Sequence, residues 1–80
     1  MACVRYWAGA REIAGTAEQS VAATSLAGLL AAVCREHGDR MARLVEVALV
    51  LVDGERVARD GDQSLTDAAV VEILPPYAGG

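Results

Sequence analysis

One amphipathic helix is the clearest feature of this 80-residue sequence. Its stripe follows the i, i+3, i+4, i+7 and i+11 spacing of a helix with one buried face, at Leu26, Leu29, Leu30, Val33 and His37. Thr24 and Ser25 precede the stripe as N-cap candidates, and Gly38 follows it as a natural helix end. The segments on either side then have to supply the layer on which this helix packs.

Short strand patterns flank the helix. They are predicted at residues 3–8, 18–22, 46–52, 55–58 and 70–74. Short helical turns are predicted at residues 11–15 and 39–44, and Asp53-Gly54 is a hairpin signal. The order ββαβββ predicts an α+β fold, with a small mixed sheet packed on one main helix. The register of residues 46–52 stays open because both faces of that strand are apolar.

Charged residues mark the predicted outer face of the first and last strands. Side chains alternate between the faces of a sheet, so Arg5 places Trp7 outside and leaves Val4 and Tyr6 for the core. By the same rule, Glu72 places Leu74 outside. If these two strands are neighbours, Trp7 and Leu74 form an exposed apolar patch, and such a patch marks a partner-binding surface.

Composition excludes several classes of function. The net charge is −4, and the seven basic residues are all arginines scattered along the chain. The sequence therefore predicts neither a basic stripe that would bind nucleic acid nor a polybasic patch that would bind a membrane. An acidic surface favours a basic partner. The apolar stretch at residues 44–52 contains Glu46 and is too short for a bilayer, which needs about 20 residues. No signal peptide is recognised, so a cytoplasmic location is expected.

The cysteines and the single histidine predict no metal site. Cys3, Cys34 and His37 are too few for a structural zinc site, which takes four ligands. Cys34 and His37 share a helix face and could form a nucleophile pair, but both follow the apolar stripe. The preferred interpretation is that they are core or core-edge residues.

The sequence given closes on Gly79-Gly80, shortly after Pro75-Pro76. Two glycines form a thin end without Cβ atoms, and a carboxylate on such an end could thread a narrow channel into the active site of another protein. The prolines stiffen the stretch before it. We therefore expect the carboxylate of Gly80 to be the working group, with Gly79 allowing its passage.

Both ends of the sequence resemble one family. Residues 4–16 read VRYWAGAREIAGT, the turn at Leu65-Thr66-Asp67 precedes the last strand, and the chain closes on PPYAGG at residues 75–80. Together these motifs resemble the ubiquitin-like sulfur carriers, most of all the small subunit of molybdopterin synthase (MoaD-type). The departures are Ala68-Ala69 after the turn, Leu74 where an aromatic residue is common, and Arg56 where an apolar residue is common.

The resemblance implies a ubiquitin-like β-grasp domain at residues 1–76 and a flexible tail at 77–80. It implies that Gly80 is adenylated by an ATP-dependent partner, becomes a thiocarboxylate, and gives its sulfur to a cyclic pyranopterin in molybdenum cofactor biosynthesis. The chain would bind no cofactor itself. Its partners would be the activating and sulfurating enzyme and a large synthase subunit, in a heterotetramer of two small and two large subunits. The candidate partner-binding residues are Trp7, Arg11, Leu74, Pro75, Pro76 and Tyr77.

Three alternatives remain open. The chain could carry sulfur for another product, such as thiamine thiazole, cysteine or a thiolated tRNA base. It could be a protein modifier that forms isopeptide bonds through Gly80, although the absence of lysine excludes chains built on its own side chains. It could also be a β-grasp interaction module with an idle tail.

Overall fold

The computed structural model describes residues 1–58 and 61–76, which form five strands and three helices. In chain order the elements are β1 (Ala2–Tyr6), α1 (Gly9–Ala14), β2 (Glu18–Val21), α2 (Leu26–His37), α3 (Asp39–Val47), β3 (Leu49–Val52), β4 (Glu55–Val57) and β5 (Val70–Leu74). The predicted strands and main helix are therefore present, with shifted boundaries.

The strands form one mixed sheet in the order β2-β1-β5-β3-β4. The first and last strands are neighbours, as the placement of the apolar patch required, and they pair in parallel with Tyr6 opposite Ile73. The other pairings are antiparallel, with Leu49 opposite Leu74 between β3 and β5. This order places β5, which leads into the tail, at the centre of the sheet.

Helix α2 has the predicted caps. The Ser25 side chain accepts a hydrogen bond from the backbone N–H of Gly28 at 3.1 Å, which satisfies one of the unpaired donors of the first turn. Gly38 ends the helix with a φ of 88°, in the region that favours glycine. The predicted stripe is buried except at its end, where His37 is half-buried.

Two sequence predictions are wrong around residues 39–52. The short turn predicted at 39–44 is a nine-residue helix, α3. The strand predicted from Glu46 begins only at Leu49, because Glu46 and Val47 form the last turn of α3. Met41 and Val45 are four residues apart and both buried, so the helical face extends into the apolar run.

The structure also fixes the register that the sequence left open. Val50 and Val52 lie on the buried inner face of the sheet, whereas Leu49 and Leu51 lie on the outer face and are half-buried. The turn after β3 is the predicted hairpin, since Asp53 and Gly54 have φ values of 51° and 84°. The Asp53 carboxylate accepts a hydrogen bond from the Val70 N–H at 2.9 Å, which ties this hairpin to β5.

All three helices contribute to a core on the inner face of the sheet. The strands contribute Val4, Tyr6, Val50, Val71 and Ile73, each at most 2% exposed. No buried polar or charged residue occurs in the part of the chain that the structure describes. Within the same residues, no helix is long and apolar enough to cross a membrane.

Candidate functional site

The root of the tail lies at the end of the central strand. β5 ends at Leu74, where Pro75 and Pro76 stop the hydrogen-bond ladder as predicted. Pro75 is half-buried and Pro76 is exposed. Tyr77, Gly79 and Gly80 lie outside the described residues, so their predicted roles stay predictions, and so does the division of the chain at residue 76.

An apolar row crosses the outer face of the sheet at this root. The register places Trp7 beside Leu74, and Leu74 opposite Leu49. Trp7 lies one residue beyond β1, but its backbone N–H still donates to the carbonyl of Ile73 at 3.2 Å. All three side chains are half-buried. The parity argument is therefore confirmed: Trp7 and Leu74 share the outer face, with Tyr6 and Ile73 in the core.

Trp7 is less exposed than expected from the sequence. Its indole Nε1–H donates a hydrogen bond to Oε2 of Glu72 at 3.0 Å. The Arg5 guanidinium lies 5.3 Å from the centre of the ring, in a cation–π arrangement. Arg5 also pairs with Glu18, at 3.7 Å between Nε and Oε2. These contacts hold Trp7 against the sheet, so the prediction of a mostly exposed side chain is wrong.

The corner between β1 and α1 brings Arg11 close to Trp7. Ala8 forms this corner with φ 48° and ψ −122°, a conformation that costs a residue with a Cβ atom free energy. Gly9 begins α1. Arg11 is exposed, and it lines one surface depression together with Arg5, Trp7 and Glu18. Within the predicted partner-binding set, the structure therefore brings Arg11 close to Trp7, which itself lies beside Leu74.

A second depression borders the root of the tail on its other side. This groove of about 660 Å³ runs between the end of α3, the β3–β4 hairpin and the two prolines. The apolar side chains of Val47, Leu49, Val57 and Leu74 line it, and Arg56 supplies one cation. Val47 is 61% exposed, which is unusual for a large apolar side chain here. Leu74, Pro75 and Pro76, the last described residues before the tail, border this groove.

Cys34 and His37 lie away from this surface. Nε2 of His37 is 3.1 Å from Oε1 of Gln19, which also accepts a hydrogen bond from the Tyr6 hydroxyl at 2.7 Å. The amide of Gln19 donates to Glu36 at 2.7 Å, so this side chain joins β2 to α2. Burial raises the pKa of the Cys34 thiol, which disfavours the thiolate that a nucleophile needs.

The cysteines and other candidate ligands form no larger cluster. Cys3 is on the outer face and Cys34 on α2, and neither forms a disulfide. Across residues 1–58 and 61–76, no group of three or more His, Cys, Asp and Glu side chains could hold a metal ion. Cys34 packs against the hydrophobic core, as expected.

Sequence reasoning missed the role of the charged residues around Trp7. Arg5 and Glu72 served only to mark the outer face, whereas the structure shows that both contact the indole. The available signal was their shared parity with Trp7 and Leu74 in otherwise apolar strands. The hydrogen bond between Trp7 and Glu72 depends on the parallel pairing of β1 with β5, which joins residues 65 positions apart.

Comparison with known proteins gives a family match over almost the whole chain. The model of the ThiS family matches residues 4–80, a range that includes the diglycine. No curated protein matches the sequence.

Several solved structures are similar. The small archaeal modifier protein 1 from Methanosarcina acetivorans gives a TM-score of 0.84 at 20% identity, covering 99% of this chain and 95% of that chain. The putative molybdopterin converting factor, subunit 1, from Pyrococcus furiosus gives 0.80 at 23% identity, with 95% and 97% covered. The HVO 2177 protein of Haloferax volcanii gives 0.75 at 26% identity, with 99% and 85% covered. The predicted ubiquitin-like β-grasp fold is confirmed.

Proposed function

Because the chain belongs to the ThiS family of ubiquitin-like sulfur carriers, we propose that it is the small, sulfur-carrying subunit of a molybdopterin synthase. The observation that carries this proposal is the position of the tail root. This root follows the end of the central strand β5, at the edge of the apolar row formed by Trp7, Leu74 and Leu49. A partner that covers this row would receive the tail directly.

In the proposed reaction, the Gly80 carboxylate attacks the α-phosphorus of ATP on the activating enzyme. Pyrophosphate leaves, and the product is an acyl-adenylate. Hydrosulfide then attacks the carbonyl carbon of the acyl-adenylate, AMP leaves, and the product is a C-terminal thiocarboxylate. These two steps make the Gly80 carboxylate, a poor electrophile, reactive. The carrier needs no acid or base for them, since those groups belong to the partner. Glycine at positions 79 and 80 lets the backbone enter two active sites without side-chain clashes.

The large synthase subunit is the proposed second partner. It would bind the outer-face row and take the tail into its active site, where the thiocarboxylate sulfur passes to a cyclic pyranopterin. We propose an assembly of two small and two large subunits, with Trp7, Arg11, Leu74, Pro75, Pro76 and Tyr77 at the interface. The carrier binds no cofactor in this scheme, and ATP is used by the activating enzyme.

The test is reconstitution with the activating enzyme, ATP and sulfide, followed by mass spectrometry of the intact carrier. Replacement of one oxygen by sulfur at Gly80 is the expected result. Deletion of Gly80 should abolish the product while the fold persists, and Gly79→Ala should reduce adenylation more than stability. An unchanged yield from the Gly80 deletion would contradict the tail mechanism.

A second measurement identifies the recipient of the sulfur. The thiocarboxylated carrier is mixed with the large synthase subunit and the pyranopterin precursor, and formation of the dithiolene product is followed. Transfer to a thiazole, cysteine or tRNA system instead would assign a different pathway. Adducts on lysines of other proteins would assign a modifier, the role for which the Methanosarcina neighbour is named.

A further inference from the structure

Glu72 is a charged residue on the outer face of the sheet, the surface that a partner would cover. It lies at the middle of β5, the central strand, and its side chain is half-buried on the outer face. Its neighbours across the strands are Arg5 on β1 and Leu51 on β3. The apolar row at Trp7, Leu74 and Leu49 lies directly beside it. A carboxylate therefore occupies the centre of the surface rather than its rim.

Within the described residues, the only side chain that hydrogen-bonds this carboxylate is neutral. Oε2 of Glu72 accepts from the indole N–H of Trp7 at 3.0 Å. Among residues 1–58 and 61–76, no basic nitrogen lies within the 4.0 Å of an ion pair with Glu72. The nearest cation in register, Arg5, pairs instead with Glu18 and lies over the Trp7 ring. Oε2 is thus held in place, while Glu72 still has acceptor capacity for a donor from outside.

Covering this face changes the energetics of Glu72. Removal of an ionised carboxylate from water is unfavourable when the only compensation is one neutral hydrogen bond. A guanidinium offsets this cost, because its planar fork donates to a carboxylate with strong, charge-assisted bonds. It also stacks on aromatic rings, and the Trp7 indole lies beside the carboxylate. The net charge of −4 favours the approach of a cationic surface as well.

We propose that Glu72 is a specificity-determining residue that selects a partner carrying an arginine within an otherwise apolar contact surface. The guanidinium would bind the carboxylate of Glu72 and lie against Trp7, while the surrounding apolar side chains cover Leu74, Leu49 and Leu51. A surface without that cation would be rejected, because it would bury the charge unpaired. This inference rests on the proposed function, since it describes the large synthase subunit as the partner.

The experiment measures the affinity of the large synthase subunit for four forms of the carrier by calorimetry. They are the unchanged chain, Glu72→Gln, Glu72→Leu and Glu46→Gln. Glu72→Gln keeps the shape and an acceptor for the indole, and Glu46→Gln removes the same charge from an exposed position on α3. Melting curves and the indole N–H resonance of Trp7 verify that each variant is folded.

We expect Glu72→Gln and Glu72→Leu each to weaken binding by at least about tenfold, because a partner cation loses its counter-charge. Glu46→Gln should stay within about twofold. Double-mutant cycles against the arginines of the large subunit should then find one that couples to Glu72.

Each contrary result has a distinct meaning. Unchanged or tighter binding by Glu72→Leu would overturn the inference, since it means that an apolar group faces this position, and the proposed function would stand. A dimer of the free carrier that Glu72→Gln dissociates would also overturn it, because a second copy would then occupy the face. No binding by the unchanged chain would overturn both the inference and the proposed function.

Discussion

The two faces of the sheet are built from the same strands but differ in the composition and burial of their side chains. On the inner face, the three central strands β1, β5 and β3 present only apolar side chains apart from the Tyr6 hydroxyl, and these are almost completely buried. On the outer face, Leu49, Leu51 and Leu74 are half-buried beside the charges of Arg5 and Glu72. Burial on folding accounts for the first face. It does not account for the second, whose apolar groups remain partly in water.

The inner face should dominate stability. Ile73→Ala removes a fully buried side chain and leaves a cavity, so we expect a loss of about 2–5 kcal/mol in the free energy of unfolding. Its neighbour Leu74 on the outer face is the matched control, and Leu74→Ala should cost about 1 kcal/mol or less. Urea unfolding of both variants measures the difference. Equal losses would mean that the two faces contribute alike.

Tyr6 gives the inner face a pH dependence. Burial, with the charge of Glu36 and the Cys34 thiol as smaller causes, raises the pKa of Tyr6 to about 12 from an ordinary value of 10.0. Between these pH values the unfolded chain loses the phenol proton while the folded chain keeps it. Stability should therefore be intact below about pH 10 and fall by about 2–3 kcal/mol towards pH 12.

The control for this prediction is Tyr6→Phe. It removes the titrating group and the hydrogen bond to Gln19, so its stability should be lower at neutral pH and flatter above pH 10. Denaturant unfolding at a series of pH values compares the two chains. Parallel curves would contradict a raised pKa at Tyr6.

The outer face should dominate binding. Trp7→Ala removes the largest side chain of the apolar row, so we expect a loss of about 2 kcal/mol in affinity for the proposed partner, the large synthase subunit. The free energy of unfolding should fall by only about 1 kcal/mol, the contribution of its contacts with Arg5 and Glu72. Calorimetric titration and thermal melting separate the two effects. A collapse of the fold would show that Trp7 is a core residue after all.

The smallest effect is expected at the corner between β1 and α1. Ala8 has φ 48° and ψ −122°, so Ala8→Gly should relieve strain and stabilise the chain by on the order of 1 kcal/mol. Ala10→Gly, in the buried interior of α1, should destabilise it instead. Denaturant midpoints of the two variants give the comparison. Destabilisation by Ala8→Gly would mean that no strain is stored at this corner.

Local patterns were enough for much of the fold. The cap at Ser25, the stop at Gly38, the Asp53-Gly54 hairpin and the bounds of β5 all appear as predicted, because each depends on residues close together in sequence. The strand predicted within the apolar run at residues 44–52 was wrong in its first part, because the structure of that part depends on contacts with distant residues. Its apolar residues satisfy a helix or a strand equally well, and only the burial of Met41 and Val45 against the core assigns its first part to α3.

The candidate site divides in the same way. By itself, the sequence determined which side chains share a face, since alternation along a strand needs no partner strand. It also determined the family, through motifs at both ends of the chain. Only the tertiary structure decided that Glu72 receives the indole N–H of Trp7 while Arg5 pairs with Glu18. Those contacts require the pairing of β1 with both β2 and β5, and no local pattern specifies which strands become neighbours.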